Sequence, residues 1–234
     1  TLSDKVLSDF GVGYAPAGNL AMTELSKEGF SLELLQKVDV IGSNEGRTYD
    51  RFRDRLMFPF YDMQGHVIGF SGRIITPKEG VGKYVNSAET QLFTKGKHIF
   101  GLFQARKAIG KLGFAYLVEG QFDVITLHKM GVENVVGGSG TAFTYEQVKL
   151  LLRFTDYIVM VYDADDAGVK ASLKNCELFL KAGARVKCIR LPKGMDPDEF
   201  AKANGNRTQD KLKELIEPFP KAFKRMLIPH GCKD

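Results

Sequence analysis

Acidic side chains cluster in this sequence at three places where an apolar run gives way to a turn. Three or more carboxylates that converge repel each other strongly unless a cation neutralises them. Hard oxygen ligands with no His or Cys nearby favour Mg²⁺ or Mn²⁺ over zinc. Such a site suits in-line phosphoryl transfer, in which metal ions stabilise the attacking and leaving oxygens. The three clusters are Glu119-Gly120, Asp163-Ala-Asp165 and Asp196-Pro-Asp198.

Two nearby acids have simpler explanations. Asp166 begins a helical pattern, and we interpret it as an N-cap. Asp123 sits one turn into a helix, where complementing the helix dipole is a comparable explanation. Helix capping does not explain why all the carboxylates of the three clusters lie at strand ends. We therefore interpret the clusters as a metal site.

Alternating strands and helices from Gly113 onward would position these acids. Continuous apolar strands such as Tyr157–Tyr162 indicate a parallel sheet covered on both faces, and ligands bind beyond the carboxyl ends of such strands. The pattern predicts strands at 114–118, 134–136, 157–162 and 185–191, and helices at 121–130, 144–154, 167–182, 199–204 and 208–228. The fold class is therefore α/β.

Basic residues concentrate earlier in the chain, between residues 47 and 107. This concentration, more than the net charge of +5, favours a polyanionic partner. Period-two alternation from Arg55 to Ile75 predicts two antiparallel strands joined by a tight turn at 62–65, and 76–97 is predicted to be a long ordered loop. The basic residues are Arg47, Arg51, Arg53, Arg55, Arg73, Lys78, Lys83, Lys95, Lys97, Arg106 and Lys107.

Composition excludes some classes of protein. No apolar run approaches the roughly 20 residues needed to span a bilayer, and the N-terminus does not read as a signal peptide. We therefore expect a cytoplasmic protein with no membrane partner. Three widely spaced cysteines form neither a disulfide framework nor a zinc site, and Cys176 is predicted to lie in the core. The histidines, which lack ligand spacing, are predicted to be structural or exposed: His66, His98, His128 and His230.

The acidic pattern resembles a TOPRIM domain: Glu119-Gly120, then Asp163-Ala-Asp165 on a βαβ sheet, with a later Asp-Pro-Asp. Bacterial primases, type IA and type II topoisomerases, OLD-type nucleases and RecR-like proteins share that domain. The basic half distinguishes among them, because its blocks are similar in order and spacing to those of the DnaG-type bacterial primase core. The blocks are Arg51–Phe60, Gly69–Arg73, Lys83–Thr90 and Phe93–Gly96, and the resemblance runs from Leu7 to Asn204.

The resemblance implies roles for the acids. Glu119 corresponds to the family's metal-site glutamate, and Asp163 and Asp165 match its DxD carboxylates; these three are the implied catalytic residues. Asp196 and Asp198 match a second pair, and Asp123 matches a further acidic position. The implied cofactor is Mg²⁺ or Mn²⁺, with two or more ions.

The resemblance also implies a groove for template and nucleotide. Arg73, Lys83 and Lys95 fall on its basic positions, and Asn86 falls beside them at a position associated with nucleotide binding. Basic residues of this kind hold a strand by its phosphates without reading sequence. Aromatic side chains can stack on bases, and the two candidates are Tyr84 and Phe93.

The implied domains are a mixed α+β basic subdomain (1–112), a TOPRIM domain (113–204) and a C-terminal helical segment (205–234). The implied activity is that of a DNA-dependent RNA polymerase that makes short RNA primers from NTPs on single-stranded DNA. One departure is Asp9, where the family often has a basic residue. The sequence shows neither a zinc ribbon nor a helicase-interaction domain. We therefore expect this chain to be an isolated polymerase core. Its expected partners, a zinc-binding domain and the replicative helicase, would act through parts of the protein that are absent from this chain.

Two alternative functions belong to different classes of protein. One is another TOPRIM enzyme, an OLD-type nuclease or a topoisomerase fragment. A topoisomerase needs a nucleophilic tyrosine in an additional domain, and Tyr14, Tyr49, Tyr61 and Tyr84 have no such context. The other is a non-catalytic TOPRIM nucleic-acid-binding module, which predicts missing carboxylates, and here the carboxylates are present.

Overall fold

A computed structural model describes residues 4–138, 142–162, 166–192 and 194–218, and for residues 4, 162 and 166–172 only the backbone. The described chain divides into two compact units. The first contains residues 7–98, and the second contains residues 4–6 together with the described residues from 99 onward. The domain boundaries given above stay a prediction.

The first unit is built on antiparallel strands. Four strands form a sheet in the order β1-β4-β5-β6, and β2 and β3 form a separate hairpin. The elements are α1 (Asp4–Asp9, which crosses the boundary), β1 (Gly13–Ala15), α2 (Leu20–Lys27), α3 (Leu32–Lys37), β2 (Ile41–Asn44), β3 (Arg47–Asp50), β4 (Arg55–Tyr61), β5 (Val67–Ile74), β6 (Tyr84–Asn86) and a 3-10 helix (Lys95–Lys97).

The predicted hairpin of β4 and β5 is confirmed. In its turn, Asp62 accepts hydrogen bonds from the backbone N–H groups of Gln64 and His66 at 2.9 and 2.8 Å. Gly65 has a φ of 95°, which a residue with a side chain adopts only at a cost. The turn therefore has the local chemistry that joins two antiparallel strands.

The prediction of a loop throughout 76–97 is wrong in part. Tyr84–Asn86 forms β6, and Lys95–Lys97 forms a 3-10 helix. A strand of three residues is too short for hydrophobic periodicity to indicate it. What defines it is pairing with β5, in which Arg73 lies opposite Tyr84 and Ser71 opposite Asn86.

The second unit alternates strands and helices, as predicted. Its elements are α4 (Leu102–Leu112), β7 (Ala115–Val118), α5 (Gln121–Lys129), β8 (Val135–Gly137), α6 (Tyr145–Leu151), β9 (Tyr157–Tyr162), α7 (Asp166–Lys181), β10 (Arg185–Arg190), α8 (Pro197–Asn204), a 3-10 helix (Gly205–Arg207), α9 (Thr208–Glu214) and β11 (Ile216–Pro218). The strand order is β11-β10-β9-β7-β8, with β7 to β10 parallel and β11 antiparallel.

The parallel strands are buried. All four residues of β7 are buried, and Ile158 to Val161 in β9 are each 0% exposed. The chain steps from β7 to β8 towards one edge and from β9 to β10 towards the other. Because such crossovers are right-handed, α5 and α7 cover opposite faces of the sheet. The predicted α/β fold with a parallel sheet covered on both faces is confirmed.

The end of the described chain differs from the prediction of a helix over 208–228. Helix α9 ends at Glu214, and Ile216–Pro218 forms β11 beside β10. A proline disfavours the helical conformation of the residue before it, so Glu217 is extended. Residues from 219 lie outside the described part, as does the side chain of Asp166, so the predicted cap there stays a prediction.

Candidate active site

Glu119 follows directly after the buried strand β7 and is itself half-buried. The chain leaves β7 for β8 on one side and later returns to β9 on the other, so β7 and β9 flank the switch point of the sheet. Leu117 pairs with Met160 across these strands, and β9 ends two residues later at Tyr162. Open α/β sheets bind ligands outside the strand ends at such a point. Glu119 therefore lies where a ligand is expected.

The turn after Glu119 is fixed by Asp123. Its carboxylate accepts a hydrogen bond from the N–H of Gly120 at 3.0 Å, which caps the start of α5. A Cβ atom on Gly120 would lie 2.9 Å from the same carboxylate oxygen, so a side chain there would displace the carboxylate. Asp123 thus has a structural role beside Glu119, and its predicted metal role stays a prediction.

Asp196 caps helix α8. Its carboxylate accepts from the N–H of Glu199 at 2.7 Å, and Glu199 accepts from the N–H of Asp196 at 3.3 Å. Pro197 takes the first helical position, where its missing N–H costs nothing. The prediction that Asp196 also binds metal is a second, compatible role, since a capping carboxylate has further lone pairs.

Asp198 joins α8 to α5. Its carboxylate accepts a hydrogen bond from the buried hydroxyl of Thr126 on α5 and pairs with Lys202. The hydrogen bond from Lys202 to Asp198 raises the pKa of that ammonium. Asp198 is therefore bound to the helix that follows Glu119, and its predicted metal role stays a prediction.

The central carboxylates of the prediction, Asp163 and Asp165, lie outside the described residues. Within the described ranges, no three His, Cys, Asp or Glu side chains come together as a metal-binding group. The donor chemistry nevertheless fits a hard divalent cation. Glu119 follows β7, Asp163 follows the neighbouring strand β9 in the sequence, and both supply carboxylate oxygens.

Three of the predicted binding residues, Arg73, Tyr84 and Asn86, lie on one strand pair, and Lys83 directly precedes it. Arg73 on β5 lies opposite Tyr84 on β6, with its guanidinium carbon 5.8 Å from the ring centroid. The N–H of Ile74 donates to the carbonyl of Lys83 at 2.9 Å. Asn86 lies two residues further along β6, and its buried Oδ1 accepts no hydrogen bond from the described residues. Because buried amide oxygens normally have partners, Asn86 is a candidate acceptor for a ligand donor.

The segment that carries Lys95 is held by side chains. The N–H of Lys95 donates to Glu89 at 3.0 Å, and the N–H of Ala88 donates to Asp39 at 2.7 Å. Asp39 also pairs with Arg51 at 3.3 Å. The backbone between Asn86 and Lys95 is therefore ordered by acids that the sequence analysis does not single out.

Phe93 cannot stack on a base, contrary to the prediction. Its side chain is 1% exposed and packs 5.1 Å from the ring of Phe60. A Cβ atom on Gly69 would lie 2.8 Å from the Phe93 ring, so the glycine makes room for it. Tyr84 is half-exposed and remains the candidate for stacking.

The described histidines agree with the prediction of structural or exposed roles. His66 is exposed and contacts Asp62, and His128 contacts the carbonyl of Val135. His98 stacks on Phe93, and burial lowers the pKa of its imidazole. His230 lies outside the described residues.

Cys176 lies in the core, as predicted. Its side chain is 1% exposed. Cys188 on β10 is also buried, with its Sγ 3.8 Å from that of Cys176, and both thiols are free. The hydrogen bond with Cys188 and burial raise the pKa of the Cys176 thiol, so it is not a reactive thiolate.

Arg55 is predicted to lie in a strand and has no predicted site role. In the structure it is buried, and Nη1 donates to the carbonyls of Gly72 and Gly82 at 3.1 and 3.2 Å. The available signal is Gly72 in the middle of a strand, since such a glycine marks a close approach. A Cβ atom there would lie 3.0 Å from Cδ of Arg55.

Comparison with known proteins decides the family. A model described as "DNA primase catalytic core, N-terminal domain" matches residues 1–106, and one described as "Toprim-like" matches residues 116–201. The DNA primase of Aquifex aeolicus is 39% identical over 97% of this chain and 45% of that protein. A structure titled as the DnaG primase catalytic domain bound to ssDNA is 33% identical, with a TM-score of 0.84 over 97% of this chain and 72% of that one. The chain belongs to the DnaG-type DNA primase family.

A second solved structure of the family contains the zinc-binding and RNA polymerase domains of the Aquifex aeolicus primase. It is 38% identical, with a TM-score of 0.87 over 96% of this chain and 55% of that one. The chain spans 30% to 45% of the length of the curated relatives it matches. Family membership confirms the resemblance and favours it over the nuclease and topoisomerase alternatives. No helix among the described residues is long and apolar enough to cross a membrane.

Proposed function

We propose that this chain is the polymerase core of a cytoplasmic DNA primase, a DNA-directed RNA polymerase that makes short RNA primers on single-stranded DNA. The observation that carries the proposal is Glu119 at the switch point of a Toprim sheet, within a chain that aligns over 97% of its length with a primase catalytic domain whose structure was determined with ssDNA. The substrates are the template strand, NTPs and the growing RNA primer.

The carboxylates are proposed to hold Mg²⁺ or Mn²⁺. Glu119, Asp163 and Asp165 are the proposed catalytic ligands, and Asp123, Asp196 and Asp198 complete the acidic set. Mg²⁺ usually takes only one or two protein carboxylates, so a set of this size suits two or more ions. When bound, such ions supply charge stabilisation on phosphoryl oxygens during nucleotidyl transfer.

The protein's own residues orient the reactants. Glu119 places its carboxyl group at a half-buried strand end, and the Gly120 turn capped by Asp123 fixes its backbone. Arg73, Lys83 and Lys95 are proposed to bind phosphates of template and nucleotide, which gives affinity without sequence readout. Asn86 is proposed to accept a hydrogen bond from the nucleotide, and Tyr84 to stack on a base.

The proposed partners follow from the family. A zinc-binding domain and a replicative helicase are proposed to act with this core through parts of the protein outside this chain. The structure of the Aquifex aeolicus primase, which contains zinc-binding and RNA polymerase domains, supports the first of these.

The test is primer extension on single-stranded DNA. Because initiation could need other domains, the template carries an annealed RNA primer, and labelled NTPs are supplied with Mg²⁺, Mn²⁺ or EDTA. We expect template-dependent extension with either metal and none with EDTA. Degradation of the DNA without extension would favour a nuclease, and binding with neither activity would favour a non-catalytic module.

A further inference from the structure

Arg55 is the one lysine or arginine of the described residues whose side chain is buried, at 6% exposure. Its partners are backbone carbonyls: Nη1 lies 3.1 Å from the oxygen of Gly72, 3.2 Å from that of Gly82 and 3.5 Å from that of Lys83. Burial lowers the pKa of Arg55, an effect that Asp54 partly offsets. Burying a cation is unfavourable unless its donors are satisfied, so this side chain is tied to those carbonyls.

These carbonyls flank the residues proposed to bind phosphates. Gly72 directly precedes Arg73 on β5, and Gly82 directly precedes Lys83, next to the first residue of β6. A single guanidinium from β4 therefore reaches over β5 to the start of β6. The space for it exists because Gly72 has no side chain, and a Cβ atom there would lie 3.0 Å from Cδ of Arg55.

Strand β6 is short and follows an exposed segment. It has three residues, which pair with β5 at the edge of the four-stranded sheet. Before it come Gly80, with a φ of 72°, and Gly82, both in an exposed segment. One backbone bond, from Ile74 to the carbonyl of Lys83, joins Lys83 to β5 at 2.9 Å. Without Arg55, the backbone at Lys83 would lose two of the contacts that fix it.

We propose that Arg55 is a positioning residue for substrate binding. Its guanidinium fixes the backbone of Arg73 and of Lys83 relative to each other, so that both cations meet the phosphates of one bound strand or nucleotide. Arg55 itself does not touch the phosphates. The inference rests on the proposed function, because it assumes that Arg73 and Lys83 bind these ligands.

The first experiment compares Arg55→Lys with the wild-type chain. Lysine keeps the charge but replaces the planar fork of donors with a single ammonium, so it cannot satisfy the same carbonyls. We expect the Kd for a labelled single-stranded oligonucleotide and the KM for NTPs to rise about fivefold, with kcat changed by less than about twofold. The control is Lys37→Met in the same unit. Lys37 forms an exposed pair with Glu33 at 2.7 Å and lies outside the basic stretch of residues 47–107, so we expect a change below about twofold.

The second experiment separates positioning from other roles. Arg55→Lys is introduced into the Arg73→Ala, Lys83→Ala double variant and binding is measured again. If Arg55 acts through these two cations, it causes no further loss in that background. A loss as large as in the wild-type background overturns the inference. If the Arg73→Ala, Lys83→Ala double variant binds as tightly as the wild type, the proposed binding roles of these two residues are refuted. That result differs from the one that overturns the role of Arg55.

A third measurement applies if Arg55→Lys does not fold. Hydrogen exchange of the wild-type chain reports whether the strand pair is held as the inference requires. The amide of Ile74, bonded to Lys83, is then expected to be protected as strongly as amides at the centre of β4 and β5. Exchange of that amide at the rate of the exposed segment before β6 would overturn the inference.

Discussion

The proposed cations and the proposed carboxylates are fixed by different kinds of structure. Arg73 lies on β5 and Lys83 directly precedes β6, and the pairing of these two antiparallel strands sets their positions. Glu119 lies at the end of β7, and its neighbour β9 is reached only after a helix, a strand and a second helix. A local pairing therefore positions the binding residues, whereas the topology of a whole sheet positions the acid. Changes in the two regions should accordingly have separable effects on binding and on turnover.

The largest effect is expected from Glu119→Gln. The amide keeps the shape of the side chain and removes its charge, so kcat for primer extension should fall about 100- to 1000-fold. Oligonucleotide binding should be nearly unchanged, because the cations proposed to provide it belong to the other unit. The control is Glu133→Gln, at an exposed position of the same unit. Wild-type turnover by Glu119→Gln would contradict the catalytic assignment.

The next effect is expected from Lys83→Ala and Arg73→Ala. Each removes one proposed phosphate contact, so the Kd for single-stranded DNA should rise about three- to tenfold. The slope of log K against log salt should fall in magnitude by about 0.7. The kcat should stay close to that of the wild type. Lys37→Ala, which removes an exposed cation paired with Glu33 in the same unit, is the control. An unchanged salt slope would count against the binding role.

Asp196 tests whether one carboxylate both caps a helix and binds metal. Asp196→Ala should lower the free energy of unfolding by about 1 kcal/mol, because the cap of α8 is lost. Asp196→Asn keeps the capping oxygen and removes the charge, so stability should stay near that of the wild type. If Asp196 also binds metal, both variants should need more Mg²⁺ for half-maximal extension. An unchanged Mg²⁺ requirement in both would leave the acid as a cap alone.

The smallest effect is expected from the exposed pair of Asp156 and Arg185. Hydrogen bonds from Arg185 lower the pKa of the Asp156 carboxyl below its ordinary value. The ion pair therefore stabilises the folded protein fully above the ordinary pKa of an aspartate, about 4. This stabilisation is lost as the pH falls through the lower pKa that Asp156 has in the folded state. Asp156→Asn should slightly lower the Tm at pH 7, and the difference should vanish at the acid end of a scan from pH 7 to 2. A difference that persists at low pH would assign the effect to something other than ionisation.

Features that depend on a continuous run of residues could be predicted from the sequence. Strand β9 has the predicted bounds, 157–162. Six consecutive apolar residues end there at an acid, a pattern that indicates a buried strand with a definite end. The position of Glu119 after a buried strand could be predicted because the end of that strand is visible in the sequence, whereas its catalytic role stays a prediction. The signal is in each case a run of residue types along the chain.

What could not be predicted depends on partners distant in sequence. Strand β6 exists through its pairing with β5, and β11 through its pairing with β10. Arg55 is recognisable only when the carbonyls of Gly72 and Gly82 are seen to converge on it. Phe93 looks like other aromatic residues of the basic half until its packing beneath Gly69 is known.

The short strand β11 has a consequence beyond the site. It pairs Ile216 with Ile189 and Glu217 with Cys188, and so occupies the outer side of β10. Left open, β10 would offer unpaired backbone groups that template the addition of another chain. Pro218, opposite Lys187, has no N–H to offer a further strand. The three residues of β11, which take no part in the proposed chemistry, thereby cover the edge of β10 and disfavour edge-to-edge aggregation.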